Sequence, residues 1–256
     1  MPNERIYSIQ RSVQIISIIP PFLLYAIYPS NQILLLAICW PINLVIFGNI
    51  RRLSATSKIQ YFLRISLYFY PFFVPSIVYC DGLKYIRCSL VYIGISVIIF
   101  GCWLFINLKT LKLMFSNEAI AHCRKQEKYT MLLMCYNLIG AAIAEELFFR
   151  QFILTMPLPT ISKIMVSIIY FLLNHWLLPW SHNFARSDYI TQFVIASINA
   201  FLFLASNSIL PCIILHGLIN SVQIAYIIKQ YDRVYRNQEK YDNLLQMNNN
   251  LSELDI

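Results

Sequence analysis

Eight long apolar runs, separated by short polar loops, constrain the fold of this chain more than any other feature of its sequence. The runs cover about residues 13–28, 33–50, 61–80, 88–108, 130–155, 160–178, 189–207 and 208–228. About 20 mostly apolar residues can cross the hydrocarbon core of a membrane as a helix. Hydrocarbon leaves open backbone groups unsatisfied, so each run is expected to be helical. We therefore predict an all-α, polytopic membrane helix bundle with about eight transmembrane helices.

The composition supports a membrane protein and excludes other classes. Hydrophobic residues make up 58% of the 256 residues and charged residues only 12%, whereas a soluble globular protein has about 25% charged residues. This deficit excludes a disordered chain, a coiled coil and most soluble enzymes. The net charge is +8, but the basic residues lie in short loops, where membrane topology explains them. No nucleic-acid partner is expected.

The basic residues concentrate in alternate loops, which predicts an orientation. One side of the membrane is assigned Arg5, Arg11, Arg51, Arg52, Lys58, Lys109, Lys112, Arg124, Lys125, Lys128, Arg186, Lys229, Arg233, Arg236 and Lys240. The positive-inside rule makes that side cytoplasmic. We expect a multi-pass protein of the cell membrane with both termini in the cytoplasm. Residues 1–228 would form a single transmembrane domain, and 229–256 a cytoplasmic tail, amphipathic at its start and flexible at its end.

Ionisable side chains interrupt three of the apolar runs. A charge at the membrane centre costs about 2.5–3.5 kcal/mol on insertion scales, so such residues are functional candidates. In the fifth run, Glu146 and Arg150 are four residues apart on one helix face, which suits an ion pair. Glu145 points in a different direction and has no local partner, so it can serve as a base or an acid. A structural role for both glutamates, as packing glue around Arg150, is the alternative.

The sixth and eighth runs carry the other candidates. Phe171 and His175 lie four residues apart in the sixth run, and His216 and Asn220 lie four apart in the eighth. Residues at this spacing project side by side from a helix. A hydrogen-bonded packing role is as good an interpretation of His175 alone, and an interhelical hydrogen bond is the simplest one for His216 and Asn220. One shared site is feasible if the three helices are neighbours.

These residues form three motifs that follow one another on separate apolar runs. They are EExxxR over Glu145, Glu146 and Arg150, FxxxH over Phe171 and His175, and HxxxN over His216 and Asn220. The ordered set resembles the CAAX-protease and bacteriocin-processing family, also called the CPBP or Abi family, which includes the type II CAAX prenyl endopeptidases. The resemblance covers about residues 130–225, the motif-bearing core.

The resemblance implies an intramembrane peptidase of the glutamate type that needs no cofactor. Glu145 would activate a water for attack on a peptide carbonyl, and His175 would help to hold or polarise that water. His216 and Asn220 would stabilise the oxyanion as preorganised donors. The supporting residues would be Glu146, Arg150 and Phe171.

The expected partners are membrane lipids and a peptide substrate that reaches the site from the membrane. Prenylated C-termini, bacteriocin or pheromone precursors and membrane-protein segments are all candidate substrates. Three other functions stay open at this point. They are a zinc-dependent membrane protease with two histidines and a carboxylate as ligands, a non-enzymatic bacteriocin immunity or scaffold protein, and a transporter or channel with a proton relay. The pattern predicts no particular oligomeric state.

Overall fold

The computed structural model describes residues 12–49, 57–79, 85–123, 125–176 and 186–237, and all regular structure in these ranges is helical. The helices are α1 (Ile19–Ile27), α2 (Asn31–Asn49), α3 (Lys58–Ser66), α4 (Tyr70–Tyr79), α5 (Leu90–Ile106), α6 (Leu108–Met114), α7 (Asn117–Ala121), α8 (Lys128–Glu146), α9 (Thr160–Trp176), α10 (Arg186–Ser206) and α11 (Leu210–Tyr235). A π-helical turn, Leu147–Phe152, continues α8. The predicted all-α class is therefore confirmed for the described residues.

Fewer helices than predicted have the length and apolar character of a membrane span. Three qualify in the described ranges: α8 with its π turn, α10 and α11. Two bent pairs, α3 with α4 at 50° and α5 with α6 at 72°, raise the number to five if each pair is one span. The chain thus has the helices of an integral membrane protein, but eight spans are not confirmed.

Local breaks explain why the number of apolar runs exceeds the number of span-length helices. In the first run, 13–28, a turn at 17–18 separates a short helical segment at 12–16 from α1, whose nine residues extend only about 14 Å. In the third run, 61–80, a turn at 67–69 separates α3 from α4. Helix α9, in the sixth run, is described over 17 residues, and residues 177–185 after it lie outside the described ranges. Hydropathy registers apolar composition, but it does not register such breaks.

The three motif-bearing helices lie together in the bundle. Helix α8 packs along α11, α9 packs against α10, and the π turn packs against α4, α9 and α10. The main core holds the buried rings of Phe148, Phe149, Phe152 and Phe171 together with Trp40 of α2. These large apolar side chains enclose the segment where α8 passes into the π turn.

At the other end of α11, basic side chains bond to the segment between α5 and α8. The Lys229 ammonium donates a hydrogen bond to the Phe115 carbonyl. Arg233 Nη1 donates to the carbonyls of Ile120, at 2.6 Å, and Cys123, at 2.9 Å. Helix α11 therefore continues past residue 229 into the segment predicted as a tail, and the rest of that segment, 238–256, lies outside the described residues.

The turn between α3 and α4 allows Phe69 to pack directly on the backbone of α8. A Cβ atom added at Gly140 would lie 2.5 Å from Cζ of Phe69. The Phe69 ring is 6% exposed, and its neighbours Tyr136 and Phe73 lie at centroid distances of 5.6 Å and 6.5 Å. Because those rings limit its movement, only glycine allows this close approach.

We predict that Gly140→Ala lowers stability by about 1–3 kcal/mol, the usual cost of overpacking a core. Gly94→Ala in α5 is the matched control, because a Cβ there meets no atom within 4 Å. Helix propensity alone favours alanine over glycine by about 0.5–1 kcal/mol. Thermal unfolding of the purified variants in detergent measures both effects. A Gly140→Ala protein as stable as Gly94→Ala would contradict the packing of Phe69 on α8.

Candidate active site

The backbone changes from α- to π-helical geometry directly after the two glutamates. Glu145 and Glu146 end α8, and Arg150 lies in the π turn. Such turns are rare and are frequent at functional sites. The Ser167 hydroxyl of α9 donates a 2.7 Å hydrogen bond to the Phe149 carbonyl in this turn. Helix α9 is thereby fixed to the segment that carries the EExxxR motif.

Glu146 lies at the centre of a buried ionic cluster. Its Oε2 is 3.1 Å from Arg150 Nε, and its Oε1 is 2.8 Å from His216 Nδ1. The side chains of Glu146 and Arg150 are both 0% exposed. The structure thus contains the Glu146–Arg150 ion pair that the spacing predicts. It also adds His216, so the cluster links α8 to α11.

Phe171 fills the space beside this cluster. Arg150 Cζ lies 4.5 Å from the centroid of the Phe171 ring. The same ring contacts His175, with centroids 4.3 Å apart, and His216, at 6.2 Å. Among the described side chains, Nη1 and Nη2 of Arg150 have no hydrogen-bond partner. A cation–π contact therefore partly replaces the water that the guanidinium loses on burial.

Glu145 faces α9 instead of α11. Its Oε1 is 3.4 Å from Asn174 Nδ2, and its Oε2 is 3.7 Å from His175 Nε2. The residue is 7% exposed, and Oε2 has no hydrogen-bond partner in the described part of the chain. Glu145 has no partner on its own helix, as predicted, but two side chains of α9 lie against it. One carboxylate oxygen is still available for chemistry.

The hydrogen bond of His175 to its own helix determines which ring nitrogen faces Glu145. Nδ1 lies 2.9 Å from the Phe171 carbonyl oxygen, which can only accept, so Nδ1 carries a proton. In a neutral imidazole the other nitrogen, Nε2, is then an acceptor. In that form two acceptors, Nε2 and Glu145 Oε2, face each other 3.7 Å apart. A water molecule has the two donors that such a pair can accept.

Asn220 takes a position that its spacing from His216 does not reveal. Its Nδ2 donates a 2.8 Å hydrogen bond to the Leu138 carbonyl and so joins α11 to α8. An amide group has two N–H donors, so this bond leaves one of them. The role of Asn220 at an oxyanion stays a prediction.

Two polar residues at the site, Ser167 and Asn174, were not singled out from the sequence. Both are uncharged, and Ser and Asn are common on membrane helices. A usable signal was their spacing, because residues 167, 171, 174 and 175 fall on one face of a helix. Within the described ranges, no three His, Cys, Asp or Glu side chains are grouped to hold a metal ion. That the site needs no cofactor stays a prediction.

We predict that Glu146→Gln destabilises the protein far more than Glu145→Gln does. The first change removes the carboxylate that contacts both Arg150 and His216, and breaking a buried ion pair typically costs about 3–5 kcal/mol. The second change removes only contacts of 3.4 Å and 3.7 Å. Thermal unfolding in detergent compares the two matched substitutions. Equal losses of stability would show that the two glutamates do not have separate roles.

The family comparison covers this same region. Residues 127–222 match the family model described as "Type II CAAX prenyl endopeptidase Rce1-like". The match spans less than half of the chain but includes α8, the π turn, α9 and the part of α11 that carries His216 and Asn220. No curated protein and no solved structure matches the chain. The matched family is a membrane protease family, and the resemblance of this chain to the CAAX-protease and bacteriocin-processing family is thereby confirmed.

Proposed function

We propose that this protein is an intramembrane endopeptidase of the glutamate type, in which Glu145 activates a water to hydrolyse a peptide bond. The observation that carries the proposal is the approach of Glu145 Oε2 to His175 Nε2, 3.7 Å apart, on two helices enclosed by apolar side chains. The family match over residues 127–222 supports a peptidase. Both residues lie within the matched region.

Glu145 and the neutral form of His175 are suited to hold the attacking water between them. Glu145 Oε2 and His175 Nε2 each accept a hydrogen bond from one O–H group of the water. A lone pair on the water oxygen is then free to face the substrate carbonyl. The Glu145 carboxylate removes one proton as the water oxygen bonds to the carbonyl carbon. The protonated Glu145 then gives this proton to the amide nitrogen as the C–N bond breaks. One water is consumed, and the products are a new carboxyl group and a new amine.

His216 is the candidate donor to the oxyanion. Its Nδ1 donates to Glu146 Oε1 at 2.8 Å, because a carboxylate oxygen only accepts. Nε2 can then donate a hydrogen bond only when the ring carries both protons. The remaining Asn220 N–H is the candidate second donor. Donors held in place before the reaction stabilise the developing negative charge most effectively in a water-poor site.

We propose a lipidated or otherwise membrane-associated peptide as the substrate. The motif helices lie among apolar helices, so a peptide carrying its own membrane anchor has the most direct route to Glu145. The name of the matched family refers to CAAX prenyl endopeptidases, which makes a prenylated C-terminal peptide the first substrate to test. A bacteriocin or pheromone precursor is the second. We further propose that the protein is in the cell membrane with both termini in the cytoplasm.

We predict that Glu145→Gln and His175→Ala each abolish cleavage of such a peptide by the purified protein. Loss of a general base typically costs about 10²–10⁴-fold in rate. His122→Ala is the control, because His122 is exposed and, within the described ranges, its side chain bonds to the Glu118 carbonyl, away from the candidate site. Cleavage is followed by mass spectrometry of a prenylated peptide, its unprenylated form and a bacteriocin-type precursor.

Three results would distinguish a glutamate peptidase from the alternative functions. Turnover by Glu145→Gln at the wild-type rate would reject the glutamate mechanism. Protection of cells against a bacteriocin by Glu145→Gln, equal to the protection by wild type, would favour a non-enzymatic immunity protein. Glu145-dependent ion flux in proteoliposomes, without peptide cleavage, would favour a transporter or channel.

Chelation tests the zinc alternative separately. We predict that treatment with 1,10-phenanthroline followed by desalting leaves the cleavage rate unchanged, because the mechanism above assigns every proton transfer to side chains. Loss of activity that added Zn²⁺ restores would instead identify a zinc-dependent protease. The control is addition of the non-chelating 1,7-phenanthroline at the same concentration.

A further inference from the structure

Packing does not explain why the polar side chain of Asn174 is buried beside Glu145. It is 1% exposed and lies on α9 directly before His175. Its Nδ2 contacts Glu145 Oε1 at 3.4 Å, while its Oδ1 is buried with no hydrogen-bond partner among the described residues. Burying an amide costs free energy unless its groups are bonded. Packing alone would be served better by a leucine of similar volume.

The two oxygens of Glu145 have different surroundings because of Asn174. A carboxylate is free to rotate about its last bond, and either oxygen is able to act as the base. Contact of Oε1 with the Asn174 amide leaves Oε2 as the oxygen that faces His175 Nε2. Helix geometry makes this arrangement possible, since consecutive residues diverge by about 100° and so approach the carboxylate from two sides.

We propose that Asn174 is a positioning residue for the reaction, which holds Glu145 so that Oε2 is directed to the attacking water. The inference rests on the proposed function of Glu145 and adds a residue to the seven that the motifs supply. It assigns the Nδ2 donor a role that neither leucine nor aspartate is able to fill. Leucine offers no polar atom, and aspartate presents a second carboxylate to Oε1.

The experiment compares Asn174→Leu and Asn174→Asp with the control Leu173→Ala. Leu173 is a neighbouring α9 residue that packs against the core, so its truncation reports the effect of lost packing alone. We expect both Asn174 variants to lower kcat about tenfold or more, in line with the loss of a hydrogen bond to a charged group, with KM close to wild type. A merely structural role would lower the amount of folded protein and leave kcat per folded molecule unchanged. Folded protein is measured by thermal unfolding in detergent.

A second measurement does not depend on cleavage. Dicyclohexylcarbodiimide modifies protonated carboxyl groups in apolar surroundings, and mass spectrometry reports the modification of Glu145. Without the amide donor, the charged carboxylate loses support, so we expect faster labelling of Glu145 in Asn174→Leu than in wild type and in Leu173→Ala. Unchanged labelling together with unchanged kcat would overturn the role of Asn174. Absence of cleavage by wild type would reject the proposed function, and the labelling rate would still decide whether Asn174 holds Glu145.

Discussion

The buried cluster of Glu146, Arg150 and His216 is the constraint on which the site depends. A carboxylate and a guanidinium that are fully removed from water are tolerated only when they are paired. Glu146 pairs with Arg150 on its own helix and with His216 on α11, so the two helices are held in one relative arrangement. Because consecutive residues on a helix diverge by about 100°, Glu145 is directed to a different side of α8 from Glu146 and lies against Asn174 and His175 of α9.

Helix α9 completes the site with one stripe of side chains. Ser167 bonds to the π turn, Phe171 covers Arg150 and both histidine rings, and Asn174 and His175 reach Glu145. Apart from the contacts of Phe171 with the two histidine rings, each of these contacts joins α9 to α8 or to its continuation. The structure therefore separates two tasks between adjacent glutamates, since Glu146 holds the helices together and Glu145 keeps one oxygen for chemistry. This division is the physical basis of the proposed hydrolysis.

The sequence revealed the parts of the site that depend on local spacing and charge. The Glu146–Arg150 pair follows from a separation of four residues, and the cost of charges in apolar runs identifies Glu145, His175 and His216. Helix adjacency, and with it the pairing of His216 with Glu146, depends on tertiary packing that no local pattern encodes. Ser167 and Asn174, the uncharged residues of α9 at the site, are only weakly indicated by their spacing in the sequence. The π turn is not indicated by any sequence pattern. The eight predicted spans are not confirmed, because hydropathy does not register turns such as 67–69, whose residues are as apolar as their neighbours.

The most direct test of the account follows the oxygen atom of the attacking water. A single turnover in water enriched in oxygen-18, with enzyme in excess over a prenylated peptide, is analysed by mass spectrometry of both product and enzyme. Direct attack by a water held at Glu145 predicts one oxygen-18 atom in the new carboxyl group of the product and none in Glu145. Oxygen-18 in Glu145 would show that its carboxylate attacks the peptide itself, and this result would contradict the account.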